Sequence, residues 1–421
     1  MVLKRSTILG FILYFSLGSL ILSPFIAKFF GIPRLDSLLA PLYTLLVLYF
    51  LLFYGINKRV KSITIVLIGI SLFAFLSLIL SFNVERLIDV FYISFLVYLF
   101  YFSFIYIKNS GYSSKIIRRL FEFLLFIIFL GFFIEIIFGV QLVIGDEQLS
   151  ILNNSFKGFF FNTNDQAVVV TSLSAAICFF YIIGQHDKKV RYLGYFLLLV
   201  SAVIVFVSAS RAALLGFILI LIFTLFLNAN KYLKLVYAIL AIVISTFIFN
   251  INFLIPVFNF LSRYSWLERS VERFELAIFS LDSDNSVDYR VEVYQKFFEN
   301  FKVVWLGYGP RNYFDYFAQN QLSYALGYTN PHSFFIEIYL AFGIFALIFF
   351  LAFLVISIYE VFNKSSFLSS QKIFYLVTLL LFCWLVWVPS SIFRLPLVWF
   401  SVFIIFIYSK NNNLAHRYKN D

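Results

Sequence analysis

The stretch YLGYFLLLVSAVIVFVSASRAALLGFILILIFTLFLN, residues 192–228, decides the fold of this chain. Its parts 192–209 and 212–228 are apolar, and each is long enough to cross a hydrocarbon layer of about 30 Å. Only Ser210 and Arg211 stand between them. We interpret the stretch as two membrane spans joined by a tight turn. As a single span, it would reverse the orientation of every loop that follows.

The whole chain has the composition of a membrane protein. Hydrophobic residues make up 62% of it, charged residues only 13%, and the mean hydropathy is +0.95. Apolar runs of spanning length recur along the chain. We therefore predict an all-α, polytopic integral membrane protein with about 12 transmembrane helices, at 8–27, 38–56, 62–82, 90–107, 119–138, 167–184, 192–209, 212–228, 233–255, 332–358, 373–389 and 393–409.

The distribution of lysine and arginine supports this number of spans, because short cytoplasmic loops are enriched in both. With a cytoplasmic N-terminus, 19 of the 32 basic residues fall on the cytoplasmic side, and seven more lie in the long loop, which escapes the rule. Both termini are therefore predicted to be cytoplasmic. The predicted organisation is nine spans in 1–255, an extracytoplasmic loop at 256–331, three spans in 332–409 and a cytoplasmic tail at 410–421.

Several classes of function receive no support. The net charge of +11 is explained by membrane topology, and no soluble basic domain exists to hold nucleic acid. Cys178 and Cys383 both lie within predicted spans, where cysteine usually serves as a small apolar packing residue. Of the three histidines, His186 and His416 are predicted on the cytoplasmic side, away from His332. We therefore predict no metal site and no cofactor.

The long loop is predicted to contain two short amphipathic helices. Apolar residues of the first recur at helical spacing, at Leu267, Val271, Phe274, Ile278 and Leu281. Such a helix is expected to lie on the outer membrane surface with its apolar stripe down. The second helix is predicted from Asp288 to about Trp305, before Gly307 and the Gly309-Pro310 pair end it.

Three side chains on the predicted extracytoplasmic side are unusual for their positions. His332 is a titratable ring at the mouth of an apolar segment, and Arg290 projects from the apolar face of the second loop helix. Arg211 stands between two spans, although arginine at mid-membrane costs at least about 2.5–3.5 kcal/mol. Its planar fork suits phosphate recognition. Interfacial packing for His332, and snorkelling or ion pairing for the arginines, remain the structural alternatives.

Residues from Gly158 to Phe349 resemble a known family in the order of four segments. These are Gly158-Phe-Phe-Phe-Asn162-Thr-Asn164-Asp165-Gln-Ala167, the Ser210-Arg211 pair, Asp288-Tyr-Arg290 followed by Leu306-Gly307-Tyr308-Gly309-Pro310-Arg311-Asn312-Tyr313, and His332-Ser333 leading through Glu337 to Phe342-Gly343-Ile344. They resemble the Wzy-type O-antigen and capsule polymerases and the WaaL-type O-antigen ligases, which share a membrane core. That family usually has asparagine where this chain has Ser333.

The resemblance implies a metal-independent membrane glycosyltransferase that uses undecaprenyl-pyrophosphate-linked oligosaccharide on the outer face of the cytoplasmic membrane. By motif match, the catalytic residues become Arg211, Arg290 and His332. Two arginines can stabilise a departing lipid pyrophosphate without Mg²⁺. Histidine, with an ordinary pKa near ~6.5, can take the proton of the attacking hydroxyl. Membrane lipid and a chain-length regulator protein are further candidate partners.

Five weaker candidates for substrate binding accompany these residues. Asn164 and Asp165 could bind sugar hydroxyls or cap the sixth span. Arg311 could bind phosphate or be a solvated loop charge, and Tyr308 could stack on a sugar ring. Glu337 lies about 140° around a helix from the histidine five residues earlier, so it is not expected to contact the imidazole directly.

Three functions remain open on the sequence alone. The first is a polymerase that moves a growing lipid-linked glycan onto the next lipid-linked repeat unit. The second is a ligase that transfers finished glycan to an acceptor, which the motifs do not separate from the first. The third is a transporter or flippase of lipid-linked sugars, for which Glu122 and Glu135 in the fifth span would be of interest. The chain has no internal repeat, and the loop residues favour an enzyme.

Overall fold

The computed structural model describes residues 5–31, 34–81, 87–143, 156–229, 232–233, 251–279, 285–299, 301–310, 333–386 and 395–411. Within these ranges the chain is helical and contains no strand. The helices are α1 (Arg5–Phe30), α2 (Leu35–Tyr54), α3 (Lys61–Ser81), α4 (Leu87–Asn109), α5 (Ser114–Phe138), α6 (Thr163–Ile177, extended by a π-helical turn, Cys178–Ile182), α7 (Lys188–Val207), α8 (Arg211–Asn228), α9 (Ile251–Leu261), α10 (Ser265–Phe279), α11 (Asn285–Glu299), α12 (Phe334–Lys364), α13 (Ser369–Leu385) and α14 (Pro396–Ser409).

The predicted class, an all-α polytopic membrane protein, is confirmed. Among the described residues, nine helices are long and apolar enough to cross a membrane, and α13 and α14 are shorter apolar helices. Together these account for every predicted span except 233–255, most of which lies outside the described residues.

The stretch 192–228 forms two antiparallel helices, as predicted. α7 ends beside the start of α6, because the Ser208 hydroxyl donates to Gln166 Oε1 at 3.3 Å. α8 ends beside the end of α6, because the Asn228 amide donates to the carbonyl of Ile182 at 3.1 Å. The turn between α7 and α8 therefore lies at the same end of the bundle as the start of α6. We call it the Ser210 end.

The centre of the bundle is formed by α4, α6 and α14. Every residue of α14 is buried, and α6 is buried almost throughout. Two hydrogen bonds join them near the middle of α6: Ser172 donates to the carbonyl of Val398 at 2.8 Å, and Ser401 donates to the carbonyl of Ser172 at 2.6 Å. Because both helices are encased by others, side chains at their Ser210 end lie inside protein rather than against lipid.

Both loop helices exist, but two predictions about them need correction. In α10 the stripe that contains Val271 and Phe274 packs on α7 instead of facing the membrane surface, since the rings of Phe274 and Phe206 stack at 5.2 Å. The second helix, α11, ends at Glu299 and not near Trp305. The following residues are extended because their backbone bonds to α12.

Candidate active site

α12 is not one straight span, contrary to the prediction for 332–358. Gly343 has φ +84° and ψ 179°, which breaks the helix. In a straight helix, Phe334 and Phe350 would be about 24 Å apart along the axis, yet their ring centroids are 4.9 Å apart. The chain therefore reverses at Gly343, and the part 334–342 folds back beside the part that follows. The start of α12 lies inside the bundle.

The segment 301–310 docks into the break in α12 through its backbone. Three hydrogen bonds join the two: Tyr308 N–H to the carbonyl of Leu340 at 2.7 Å, Gly309 N–H to that of Ala341 at 3.0 Å, and Ile344 N–H to that of Val304 at 2.9 Å. The Tyr339 hydroxyl adds two more, donating to the carbonyl of Lys302 at 2.6 Å and accepting from the N–H of Val304 at 3.0 Å.

This contact requires glycine on both sides. A Cβ on Gly307 would lie 2.2 Å from the carbonyl oxygen of Ala341, and one on Gly343 would lie 2.2 Å from that of Trp305. Both distances are far below van der Waals contact, and both glycines have positive φ. Two segments that resemble the polymerase and ligase family, one around Tyr308 and one around Gly343, are thus packed directly on each other.

The turn between α7 and α8 brings Arg211 to the start of α8. Ala209 has φ +56°, which makes the turn tight, and Arg211 is partly buried. The turn is covered by α10, whose Ser270 hydroxyl donates to the carbonyl of Val207 at 3.0 Å. On its other side, Trp384 Nε1 of α13 donates to the carbonyl of Ala212 at 2.9 Å.

The start of α6 is held by Glu135, a buried carboxylate at the end of α5. It accepts backbone N–H groups from Leu142 at 3.0 Å, from Lys157 at 2.7 Å and from Gly158 at 2.6 Å. Since Glu135 lies three residues before the end of α5, these bonds pull the segment before α6 down into the bundle. Backbone outside a helix is tolerated at this depth only where protein or a water-filled cavity surrounds it.

Asn162, not Asn164 or Asp165, caps α6. The Asn162 side chain accepts the backbone N–H of Asn164 at 2.9 Å. Asp165 Oδ1 is buried and accepts no hydrogen bond. The capping alternative therefore does not explain Asp165, and the Asn164 side chain, which is half-buried, does not perform this role.

Arg34 joins this region from the turn between α1 and α2. It makes two hydrogen bonds to Asp36, at 3.0 and 2.6 Å, and its guanidinium lies 4.9 Å from the centre of the Phe161 ring. Asp36 also accepts from the hydroxyls of Ser23 and Tyr92. The part of the chain that precedes the segments of the family resemblance thus contributes a charged residue beside the segment that opens α6.

Contacts link α6 with the starts of α8, α12 and α14 into a closed ring, which α14 completes at the middle of α6. Gln166 of α6 bonds to the end of α7, and Trp384 of α13 bonds to the start of α8. Two residues beyond that tryptophan, the carbonyl of Val386 accepts the N–H of Phe334 at 3.3 Å. The Phe334 ring packs on Trp399 of α14, at 5.7 Å between centroids, and α14 returns to α6 through Ser172.

Buried polar atoms without a protein partner concentrate on this ring. Ser210 and Ser333 each occupy the position before a helix, yet neither side chain caps it, and both hydroxyls are buried and unpartnered within the described structure. Gln166 Nε2 and Trp399 Nε1 are buried and unpartnered as well. A buried polar atom without a partner is costly, so a group of them points to a polar ligand.

The structure describes only part of the predicted catalytic set. Arg211 lies on the ring described above. His332 and Arg311 lie outside the described residues, and for Arg290 the backbone of α11 is described but the side chain is not. Ser333, the neighbour of His332, is nevertheless placed at the start of α12, so the chain at that point enters the same region.

The two remaining sequence candidates lie in the segment 301–310 and in α12. Tyr308 is partly exposed, and burial, together with the nearby Tyr339, raises the pKa of its hydroxyl. Glu337 is buried in the first turn of α12, where its N–H donates to the carbonyl of Ser333 at 2.8 Å. Across the described part of the chain, no three His, Cys, Asp or Glu side chains are grouped as metal ligands.

Comparison with known families shows that residues 196–351 match a family model described as O-antigen ligase (Wzy_C). The matched region runs from α7 through the loop helices to the reversal in α12. It supports the O-antigen ligase and polymerase family, whose members are membrane enzymes of the glycosyltransferase type, without separating polymerases from ligases. The curated proteins compared with the chain give no match.

Proposed function

We propose that this chain is a polysaccharide polymerase of the O-antigen or capsule type, which joins undecaprenyl-pyrophosphate-linked oligosaccharide repeat units. The observation that carries the proposal is the ring of contacts at the Ser210 end. It gathers the Asn162 segment, the Ser210-Arg211 pair and the start of α12, which are separate in sequence and all belong to the family resemblance. The family match over 196–351 supports the same chemistry.

In this proposal the Ser210 end faces outward from the cytoplasmic membrane. Basic residues gather at the opposite end of the described helices, as expected for a cytoplasmic side. They include Arg59 before α3, Lys188 at the start of α7, Lys364 at the end of α12 and Lys410 after α14. Both termini would then be cytoplasmic, and the substrate would be a membrane-embedded lipid reached from the periplasm or the cell exterior.

The lipid pyrophosphate binds where α8 and α12 begin. Arg211 and Arg290 bind its oxygens and stabilise the negative charge that develops as it leaves. Helix N-termini favour anions, and the unpartnered hydroxyls of Ser210 and Ser333 donate to the same group. This role would give Ser333 a function, although the family usually has asparagine at that position. No metal ion is needed in this scheme.

His332 acts as the general base. It takes the proton from an acceptor sugar hydroxyl while that oxygen forms a bond to the anomeric carbon of the donor. The bond from the anomeric carbon to the pyrophosphate oxygen breaks, and the lipid pyrophosphate leaves with the electron pair. The acceptor glycan is thereby extended by the transferred chain. The proton then passes from the imidazole to solvent or to the leaving group.

The function is tested by the size distribution of surface and lipid-linked glycan in a strain that lacks this protein. A polymerase predicts collapse of the ladder to one repeat unit on the usual acceptor, with single-unit lipid-linked precursor accumulating. Persistence of long polymer on undecaprenyl pyrophosphate would instead identify a ligase. Accumulation of precursor on the cytoplasmic face of the membrane would identify a flippase.

The proposed residues are tested by substitution. We expect His332→Ala and Arg290→Ala to abolish polymer while the protein still inserts and accumulates, because base catalysis alone contributes about 10²–10⁴-fold. His186→Ala, an exposed histidine at the opposite end, and Arg263→Ala, an exposed loop arginine, serve as matched controls. Wild-type product from either site variant would contradict the mechanism.

A further inference from the structure

The start of α6 carries polar atoms that the catalytic scheme above does not use. Asp165 Oδ1 is a buried acceptor without a partner. Gln166 is fully buried, and one end of its amide bonds to Ser208 while the other faces Gly158 without a partner. Turning the amide over exchanges its nitrogen and oxygen, yet one polar end stays unpartnered. Two neighbouring residues therefore each present an unsatisfied polar atom.

Arg34 gives this place a fixed positive charge. Burial lowers the pKa of Arg34, but the neighbouring carboxylates of Asp36 and Asp165 raise it above the ordinary arginine value. The guanidinium is held by two hydrogen bonds to Asp36, so its position is set by the α1–α2 turn. Its charge acts on Asp165 as well as on Asp36, and Asp165 Oδ1 is left as a buried polar atom open to a ligand.

An aromatic ring borders the same place. Phe161 is 42% exposed and lies under the Arg34 guanidinium. Sugar rings present hydroxyls that both donate and accept hydrogen bonds, and apolar C–H faces that pack on aromatic rings. A carboxyl group, an amide and an exposed ring together offer the hydrogen-bonding groups and the apolar face that a sugar ring requires.

We propose that Asp165 and Gln166, with Phe161 beside them, bind the hydroxyls of a sugar ring next to the reaction centre. The choice of a sugar as the ligand rests on the proposed function. The subsite lies next to the reaction centre because Gln166 is joined through Ser208 to the turn that carries Arg211. The ring belongs either to the reducing-end sugar of the donor or to the acceptor sugar. Arg34, held by Asp36 and lying over the Phe161 ring, acts as a positioning residue for this subsite.

A purely structural role for Asp165 is disfavoured by its contacts. Asn162 already caps α6, so the carboxylate is not needed there. Arg34 is already paired with Asp36, so Asp165 is not its main partner. Replacing Asp165 by asparagine keeps its shape and removes no hydrogen bond to Oδ1. The variant should fold as the wild type does, which makes it a clean probe of ligand binding.

The probe is the free oligosaccharide repeat unit, released by mild acid from the lipid-linked precursor. Its binding to purified protein in detergent is measured by isothermal titration calorimetry. We expect Asp165→Asn to weaken binding by about ten- to hundredfold, and Gln166→Met, which keeps the volume without the amide, to weaken it too. Asp187→Asn, at the capping aspartate of α7 at the opposite end, should bind as the wild type does.

A second arm separates the two sources of the sugar. Borohydride reduction opens the reducing-end ring of the probe; loss of binding then assigns the subsite to the donor sugar, and unchanged binding assigns it to the acceptor. Equal affinity in Asp165→Asn and wild type, or no binding by the wild type, overturns the subsite. The binding assay does not depend on polymerase activity, because the probe carries no pyrophosphate. A normal glycan ladder in the deletion strain would refute the polymerase. Binding of the probe that depends on Asp165 would then still support the subsite.

Discussion

Replacing Gly343 with alanine tests the docking of 301–310 into α12. Gly343 adopts φ +84° and ψ 179°, a conformation that costs other residues about 1–3 kcal/mol. The added Cβ would also lie 2.2 Å from the carbonyl oxygen of Trp305. Relieving that clash means separating the segment from α12 and losing three backbone hydrogen bonds, each worth about 0.5–1.5 kcal/mol net. We expect a total loss of about 3–7 kcal/mol.

Gly55 offers a matched control for this substitution. It has φ +66° and ψ −179°, the same backbone region, but nothing lies within 4 Å of an added Cβ. Gly55→Ala therefore carries the conformational strain without the clash and should lose only about 1–3 kcal/mol. The difference between the two variants isolates the contact between the loop segment and α12.

Heating the purified proteins with a thiol-reactive fluorophore gives the readout, because Cys178 is buried and becomes reactive on unfolding. Unfolding of a large membrane protein is often irreversible, so midpoints are compared at one heating rate. We expect the Gly343→Ala midpoint to fall well below that of Gly55→Ala and polymer synthesis to be lost in the former alone. Equal midpoints, with polymer made by both variants, would refute the docking and its link to activity.

Two further substitutions test the site. Glu135→Gln should lower the melting midpoint and reduce elongation at least about tenfold, because an amide cannot accept all three backbone N–H groups. The control Glu122→Gln loses only the charge of the group that accepts from the Tyr181 hydroxyl, so it should stay near wild type in both assays. Ser333→Ala should slow elongation about tenfold with an unchanged midpoint, since its hydroxyl has no protein partner in the described structure. Ser172→Ala, which breaks a bond to α14, should instead lower the midpoint.

The positions of the spans could be predicted from sequence, whereas the reversal at Gly343 could not. A hydrocarbon layer of about 30 Å demands about 20 apolar residues, and that signal is strong throughout this chain. The residues on both sides of Gly343 are apolar, so a hydropathy pattern does not show that the chain reverses there. The end of α11 was misplaced for a related reason: the aromatic spacing continues to Trp305, but hydrogen bonds to Tyr339 and Ile344 hold the backbone extended.

The candidate site was predictable where a residue is conspicuous in its own surroundings. Arg211 is one charge between two apolar runs, and sequence alone singles it out. Glu135 was considered only for a transporter, and Gln166 was given no role within the segment that opens α6, because their partners come from other segments of the chain. Arg34 was missed too, although its spacing to Asp36 is typical of a local ion pair. A polar residue inside an apolar span is the signal that drew attention to Glu135, whereas Gln166 lies just before the predicted span 167–184 and gives no such signal.

The reversal at Gly343 also determines how deep the start of α12 enters the bundle. Ala341 lies near the end of α3, where its carbonyl accepts from the Ser77 hydroxyl at 2.6 Å. From there the chain back to Phe334 descends about 10 Å at 1.5 Å per residue. Ser333, which directly precedes α12, carries one of the unpartnered hydroxyls of the candidate site, so any shift of α12 at Gly343 moves this hydroxyl relative to Arg211. Gly343→Ala should therefore reduce turnover even under conditions in which the helices remain folded.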